Sequence, residues 1–360
     1  MTESKIRLPA EWEPLDGVML TWPHETTDWA PILARAEACF VAIAREIASR
    51  TRLLVACHDA TLAEHVATTL RAAGVDLGAV TLCVAPSDDT WARDHGPITV
   101  ENAGALELRS FHFNGWGGKF PARRDDAING VLAEAGAFAA PLRERTLELE
   151  GGAIESDGKG TILTTSACVL NANRNDGGLT RAEAEAAFAA ELGATRVLWL
   201  EHGHLEGDDT DSHVDTLARL APGADGQGGT IVYQRCDDPA DAHFADLDAM
   251  QAELRALRRA DGTPYTLLPL PWPRPAHDED GHRLPATYAN YLILDEAVLV
   301  PTYADPSDAA ALAVVAAAHP GREVVGVDCR VLIEQHGSLH CVTMQLPRGS
   351  LAASAAEESR

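Results

Sequence analysis

Four polar clusters recur along this chain: Trp91-Ala92-Arg93-Asp94, Leu149-Glu150-Gly151-Gly152, Asp211-Ser212-His213-Val214-Asp215 and His336-Gly337-Ser338-Leu339-His340-Cys341. Asp94, Glu150, His213 and Cys341 stand 56, 63 and 128 residues apart in turn, the last interval about twice the others. A repeat of roughly 60 to 70 residues, each unit giving one polar loop, produces that spacing, and such a period is the mark of a repeat architecture. Asn290, within Ala286-Thr287-Tyr288-Ala289-Asn290-Tyr291, falls in the missing interval, so five units fill the chain.

Apolar runs of strand type recur between turn residues: Val18 to Trp22, Leu53 to Ala56, Val80 to Val84, Thr161 to Thr164, Arg196 to Leu200 and Ala297 to Pro301. Ala-rich stretches between them predict helices at about 28–49, 59–73, 180–192, 240–259 and 306–318, with Thr180 and Asp305-Pro306 as helix starts. The expected class is mixed α/β. Length alone suggests two domains of about 100 to 200 residues. The glycine-rich stretch at 222–229 and the proline-rich one at 269–275 are too short for linkers, however, and read as surface turns. The expectation is a single catalytic domain over 1–347, with a loose tail at 348–360 whose Ala, Ser and Glu content carries no chemistry.

Asp and Glu outnumber Lys and Arg by 54 to 29, a formal charge of -25 that disfavours nucleic acid and anionic membrane surfaces as partners and welcomes a small cation. Glu3, Glu11 and Glu13 interrupt the N-terminal region, so no signal peptide is expected, and no window reaches the roughly 18 apolar residues of a membrane span. The seven cysteines are scattered, odd in number and without CxxC spacing, which fits a reducing cytoplasm.

From these clusters Cys341, His213, Asp94, Glu150 and Asp215 give one thiol, one imidazole and three carboxylates, the groups that cysteine-based hydrolysis of a cationic guanidine requires: a nucleophile, a proton shuttle and anions to grip the cation. Read as a strand, His213 and Asp215 point from one face toward one ligand. The rival reading is a divalent-ion site built from His202, His204, His213 and nearby aspartates, against which no HExxH spacing is present. Asp94 beside Arg93 also reads as an ion pair in a turn, and Cys341 as an inert buried thiol. Glycines after Glu150 let backbone approach closely.

The Trp-x-Arg-Asp-x-Gly-Pro pattern at 91–97 and Leu-Glu-Gly-Gly at 149–152 resemble signatures of the agmatine deiminase branch of the guanidino-modifying, or pentein, superfamily. So do Pro9 to Pro14, Phe113 to Lys119, Asn171 to Asn175 and His340 to Gln345, and the resemblance spans nearly the whole chain. It implies a five-bladed β/α propeller of pseudo-fivefold ββαβ units. It also implies hydrolysis of agmatine to N-carbamoylputrescine and ammonia in putrescine synthesis, without metal or organic cofactor, and a homodimer. In that scheme Cys341 is the nucleophile, His213 the proton shuttle, Glu150 its orienting partner, and Asp94 and Asp215 the guanidinium grips. Asp209 would meet the distal amine, with Trp91 and Trp116 flanking the methylene chain. The chain departs from the family in carrying Ser212 where glycine is usual, and Gln335-His336-Gly337-Ser338 where many members read Gly-Gly-Gly-Asn. Peptidyl-arginine and free arginine are alternative substrates, and a non-catalytic binding protein for cationic amines is the alternative of another class.

Overall fold

The computed structural model describes residues 6–353 and is a mixed α/β fold. The chain forms two compact units, one made of Met1–Trp12 with Gly152–His340, the other of Glu13–Gly151 with Cys341–Arg360.

One pattern builds both: a strand antiparallel to a second, then a helix, then a third strand parallel to the second. In the first unit it occurs three times. Ile154–Ser156, Thr161–Thr165, helix Arg181–Leu192 and Arg196–Leu200 make one instance. Ala218–Ala221, Thr230–Gln234, helix Phe244–Ala256 and Thr266–Leu270 make another. Leu292–Ile293, Ala297–Thr302, helix Asp308–Ala318 and Glu323–Asp328 make the third.

In the second unit it occurs twice. Ile98–Asn102, Ala105–His112, helix Arg123–Glu134 and Leu142–Glu148 make one instance. The other joins the chain's two ends: Thr343–Pro347 lies antiparallel to Leu15–Thr21, which after helix Leu33–Ala48 is joined in parallel by Arg52–Cys57 and then Val80–Val84.

Three of the second strands, Leu15–Thr21, Thr161–Thr165 and Ala297–Thr302, hold apolar runs read from the sequence, as expected of strands covered on both faces. Thr161–Thr165 and Thr230–Gln234 are buried at every position. The helices carry one apolar stripe. On Leu33–Ala48 it is Ala36, Phe40, Ile43, Ala44 and Ile47, spaced by three or four, and each large side chain buried there contributes about 1.5–3 kcal/mol. Helix Arg181–Leu192 starts where Thr180 predicts, through a reciprocal capping box in which Thr180 Oγ1 accepts from the Glu183 amide and Glu183 accepts from the Thr180 amide. Asp305-Pro306 precedes rather than starts its helix, which opens at Asp308.

Two local expectations change. The run Cys329 to Ile333, which by its apolar content reads as a strand ahead of the His336-Gly337-Ser338 turn and Cys341, instead forms the helical turn Arg330–Ile333 with Cys329 as its cap. The tail expected from 348 is held over its first part: Ser350 is fully buried, the Gly349 and Leu351 amides donate to Asp16, and Leu351 bridges Phe138; residues 354–360 lie outside the described residues. No helix among the described residues is long and apolar enough to cross a membrane.

Candidate active site

Every polar residue singled out by spacing occupies the same place in the repeat, the short segment just ahead of a first strand. Asp94 precedes Ile98–Asn102, Glu150 precedes Ile154–Ser156, His213 and Asp215 precede Ala218–Ala221, Asn290 precedes Leu292–Ile293 and Cys341 precedes Thr343–Pro347.

In the unit Glu13–Gly151 with Cys341–Arg360, Asp94 sits in the four-residue helix Ala92–His95 and is 4% exposed. Trp116 Nε1 donates to Asp94 Oδ2 at 3.0 Å. That indole is delivered by an unusual turn: Gly115, Trp116, Gly117 and Gly118 all have positive φ, at 71°, 55°, 88° and 76°. Three glycines make the conformation accessible, and Trp116 bears the steric cost. Trp91, the residue before the Asp94 helix, packs with Trp29 and Trp116 at centroid distances of 5.7 and 6.5 Å. Its indole N–H, like that of Trp29, donates to Asp89 at 2.9 Å. Trp91 and Trp116 are both 6% exposed, so both are packed as well as hydrogen-bonded. Burial pushes the Asp89 carboxyl up to about 6, against the indole and Thr90 hydrogen bonds that lower it.

Cys341 lies in the same unit and is buried, and its carbonyl accepts from the Arg93 amide at 3.1 Å. The Arg93 side chain continues the link by donating to Gln345 Oε1 at 2.7 Å. Glu150 is buried too, and the glycine after it is required sterically, because a Cβ on Gly151 would run into the Arg93 carbonyl oxygen. Arg93 thus holds the Asp94 helix to Cys341 and to the strand Thr343–Pro347 that follows it, and packs under Gly151. The reading of Arg93 as an ion-pair partner of Asp94 missed this.

In the unit Met1–Trp12 with Gly152–His340, His213 and Asp215 are fully buried. They do not lie on a strand: His213 ends a loop, and Asp215 lies in the 3-10 turn Val214–Thr216. They are electrostatic neighbours all the same. The loop is tied down before it reaches His213. Asp208 accepts from Thr210 Oγ1 and the Ser212 amide, Thr210 Oγ1 accepts from the His213 amide, and Arg174 donates to Asp211 Oδ2 at 2.7 Å and to the Thr210 carbonyl. Asp211 and Ser212 have φ of 65° and 68°, the left-handed region, which explains why glycine suits the second position. The Cys168 thiol lies within 4.8 Å of a His213 ring nitrogen.

Asp215 belongs to a buried ionic chain. His340 Nδ1 is 2.7 Å from Asp215 Oδ2, and His340 Nε2 is 2.9 and 3.0 Å from the Glu11 oxygens. Arg219 donates to Glu11 and to Glu155. Burial works against ionisation of Asp215, but the His340 hydrogen bond and the charges of His340, His213 and Arg219 outweigh it and hold the carboxyl below the usual range. Spacing alone did not identify Glu11, Arg174, Arg219 or His340 as supports, although Glu11, Arg174 and His340 lie in segments that carry the family likeness. Asp209 stands apart in character, its side chain 41% exposed and 3.8 Å from His336 Nδ1.

Chemically, the first unit offers a buried imidazole beside an ionised carboxylate. The second offers a buried thiol, a carboxylate under an indole N–H, and Glu150. Each unit thus presents a buried carboxylate able to accept hydrogen bonds from a planar cation.

The model of the Porphyromonas-type peptidyl-arginine deiminase family matches residues 7–347. The agmatine deiminase of Pseudomonas aeruginosa strain LESB58 is 32% identical over 95% of this chain and 95% of its own. A Porphyromonas gingivalis protein provisionally named an arginine deiminase is 47% identical in its solved structure, which covers 96% of this chain and 100% of that one with a TM-score of 0.86. The C. jejuni agmatine deiminase with substrate bound is 33% identical, covering 96% and 97% of the two chains with a TM-score of 0.87. By this match across nearly its full length, the chain belongs to the Porphyromonas-type peptidyl-arginine deiminase family.

Proposed function

We propose that this protein is an agmatine deiminase, an enzyme that hydrolyses agmatine to N-carbamoylputrescine and ammonia. The observation that carries the reading is the common position of Asp94, Glu150, His213, Asp215 and Cys341 ahead of the first strands of their repeats, together with relatives named agmatine deiminase along almost the whole chain. Five repeats of one ββαβ pattern also support the five-bladed propeller expected from the family likeness.

A guanidinium carbon is a poor electrophile, because three nitrogens donate into it. Asp94 and Asp215 accept hydrogen bonds from the cation and fix its plane. The Cys341 thiolate attacks the carbon, favoured by the positive charge bound beside it. His213 gives its proton to the departing nitrogen, the C–N bond breaks, and ammonia leaves an amidino group on sulfur. Water then adds to that carbon as His213 takes its proton, the C–S bond breaks, and the carbamoyl product leaves with Cys341 restored. Glu150 orients His213. Asp209 meets the distal ammonium, and Trp91 and Trp116 border the methylene chain. A thiol nucleophile suits a reducing cytoplasm, and the product suits putrescine synthesis.

A second reading has its own support: the relative provisionally named an arginine deiminase shares 47% identity, more than the agmatine deiminases at 32% and 33%. Ammonia release from agmatine, arginine and an arginine-containing peptide, measured side by side with a Cys341→Ser control, separates the two. Release from agmatine, abolished in Cys341→Ser, is expected. Release only from arginine or peptide reassigns the substrate, and undiminished release in Cys341→Ser overturns the mechanism.

A further inference from the structure

Asp215 carries more than its own charge. Its Oδ2 is engaged by His340 Nδ1 at 2.7 Å, while its Oδ1 is buried with no hydrogen-bond partner among the described residues. A buried carboxylate oxygen left without a protein donor is an acceptor the fold keeps open. His340 is itself fixed at both ring nitrogens and by its backbone. Nε2 faces both Glu11 oxygens at 2.9 and 3.0 Å, and the backbone N–H donates to Asn290 Oδ1 at 2.9 Å. Arg219 Nη2 is also 3.1 Å from Nε2, but it donates to Glu11 at 2.5 Å. An imidazole whose two nitrogens both point at carboxylates satisfies them by carrying a proton on each.

We propose that His340 is a positioning residue: as an imidazolium held by Glu11, it pins Asp215 Oδ2 and leaves Oδ1 as the acceptor that meets the substrate's guanidinium. The proposal rests on the deiminase reading for the identity of the cation, and on the His340 geometry for the device. It makes Asp215 a one-oxygen grip with a preset plane, so the cation is turned as well as held. It also gives the residue beside the nucleophile a purpose, since His340 adjoins Cys341 in the chain. In the other unit the Trp116 indole N–H on Asp94 Oδ2 is the uncharged counterpart of the same device.

Two isosteres separate positioning from bulk. The Asn amide reproduces the donor at the Nδ1 position that faces Asp215, whereas the Gln amide reproduces Nε2 and faces Glu11. In a Cys341→Ser background, agmatine binding by calorimetry is expected to weaken less than about 10-fold in His340→Asn and by about 100-fold in His340→Gln, at equal melting temperatures. Equal losses in the two overturn the proposal. ¹⁵N-histidine NMR tests it without substrate and without a core substitution, and expects both His340 ring nitrogens protonated at pH 7; a neutral tautomer overturns it. Failure of the Cys341→Ser parent to bind agmatine, with His340 doubly protonated, strikes the deiminase reading and leaves the His340 device standing.

Discussion

Ser212 shows what a single residue does in this chain. It stands immediately before His213 in the left-handed region, with φ of 68°, where its side chain gains only a long 3.5 Å approach to His204 Nδ1. A non-glycine residue there costs about 1–2 kcal/mol, partly offset in the unfolded state by the extra freedom glycine would have. Ser212→Gly is therefore expected to raise the unfolding free energy by about 0.5–1 kcal/mol in urea titration and to leave the agmatine KM within about twofold, because the Asp208 contact is to the backbone N–H. A loss of stability would show that the hydroxyl holds the loop. At this scale the sequence was most legible. The thiol, the imidazole and the carboxylates announce themselves by type and spacing. Their supports were not readable, because the bond from His340 to Asp215 spans 125 residues, and only the fold brings such pairs together.

Among the elements, Gly115–Gly118 is the one whose shape decides a contact. Four successive left-handed residues turn the chain so that Trp116 reaches Asp94, and a Cβ on Gly115 would strike the Phe120 carbonyl oxygen. Gly115→Ala is expected to cost about 1–3 kcal/mol and to raise the KM for agmatine by displacing the indole, whereas Gly118→Ala, with open space around its Cβ, is expected to cost backbone strain alone. Matching KM values in the two variants would remove Trp116 from the grip. Helix Arg123–Glu134 and its flanking strand Leu142–Glu148 escaped sequence reading for a physical reason. The helix buries only Asp125, Ile128, Asn129 and Leu132, and the strand buries no residue, so neither shows the apolar period that marks the other repeats. Burial lifts the Asp125 carboxyl to about 8 despite hydrogen bonds from the Asp88 and Asp89 amides, which marks it as a structural member of that helix, not a solvated acid.

For the whole molecule, five copies of one strand order place five polar segments at equivalent positions, and the sequence period of roughly 60 to 70 residues is the trace of that order. The repeat number was legible from spacing because each copy must spend its residues on two strands, a helix and a third strand. The pairing of Thr343–Pro347 with Leu15–Thr21 was not, since it joins segments at opposite ends of the chain. The formal charge of -25 and the buried acids suit a cationic substrate throughout. The central claim is that Cys341 attacks a guanidinium carbon, and acid-quenched mass spectrometry of the enzyme during turnover with agmatine tests it most directly. The account predicts a peptide containing Cys341 that is heavier by agmatine less ammonia and is absent from Cys341→Ser. Ammonia released while Cys341 stays unmodified, with the adduct on another cysteine or with turnover surviving in Cys341→Ser, would contradict it.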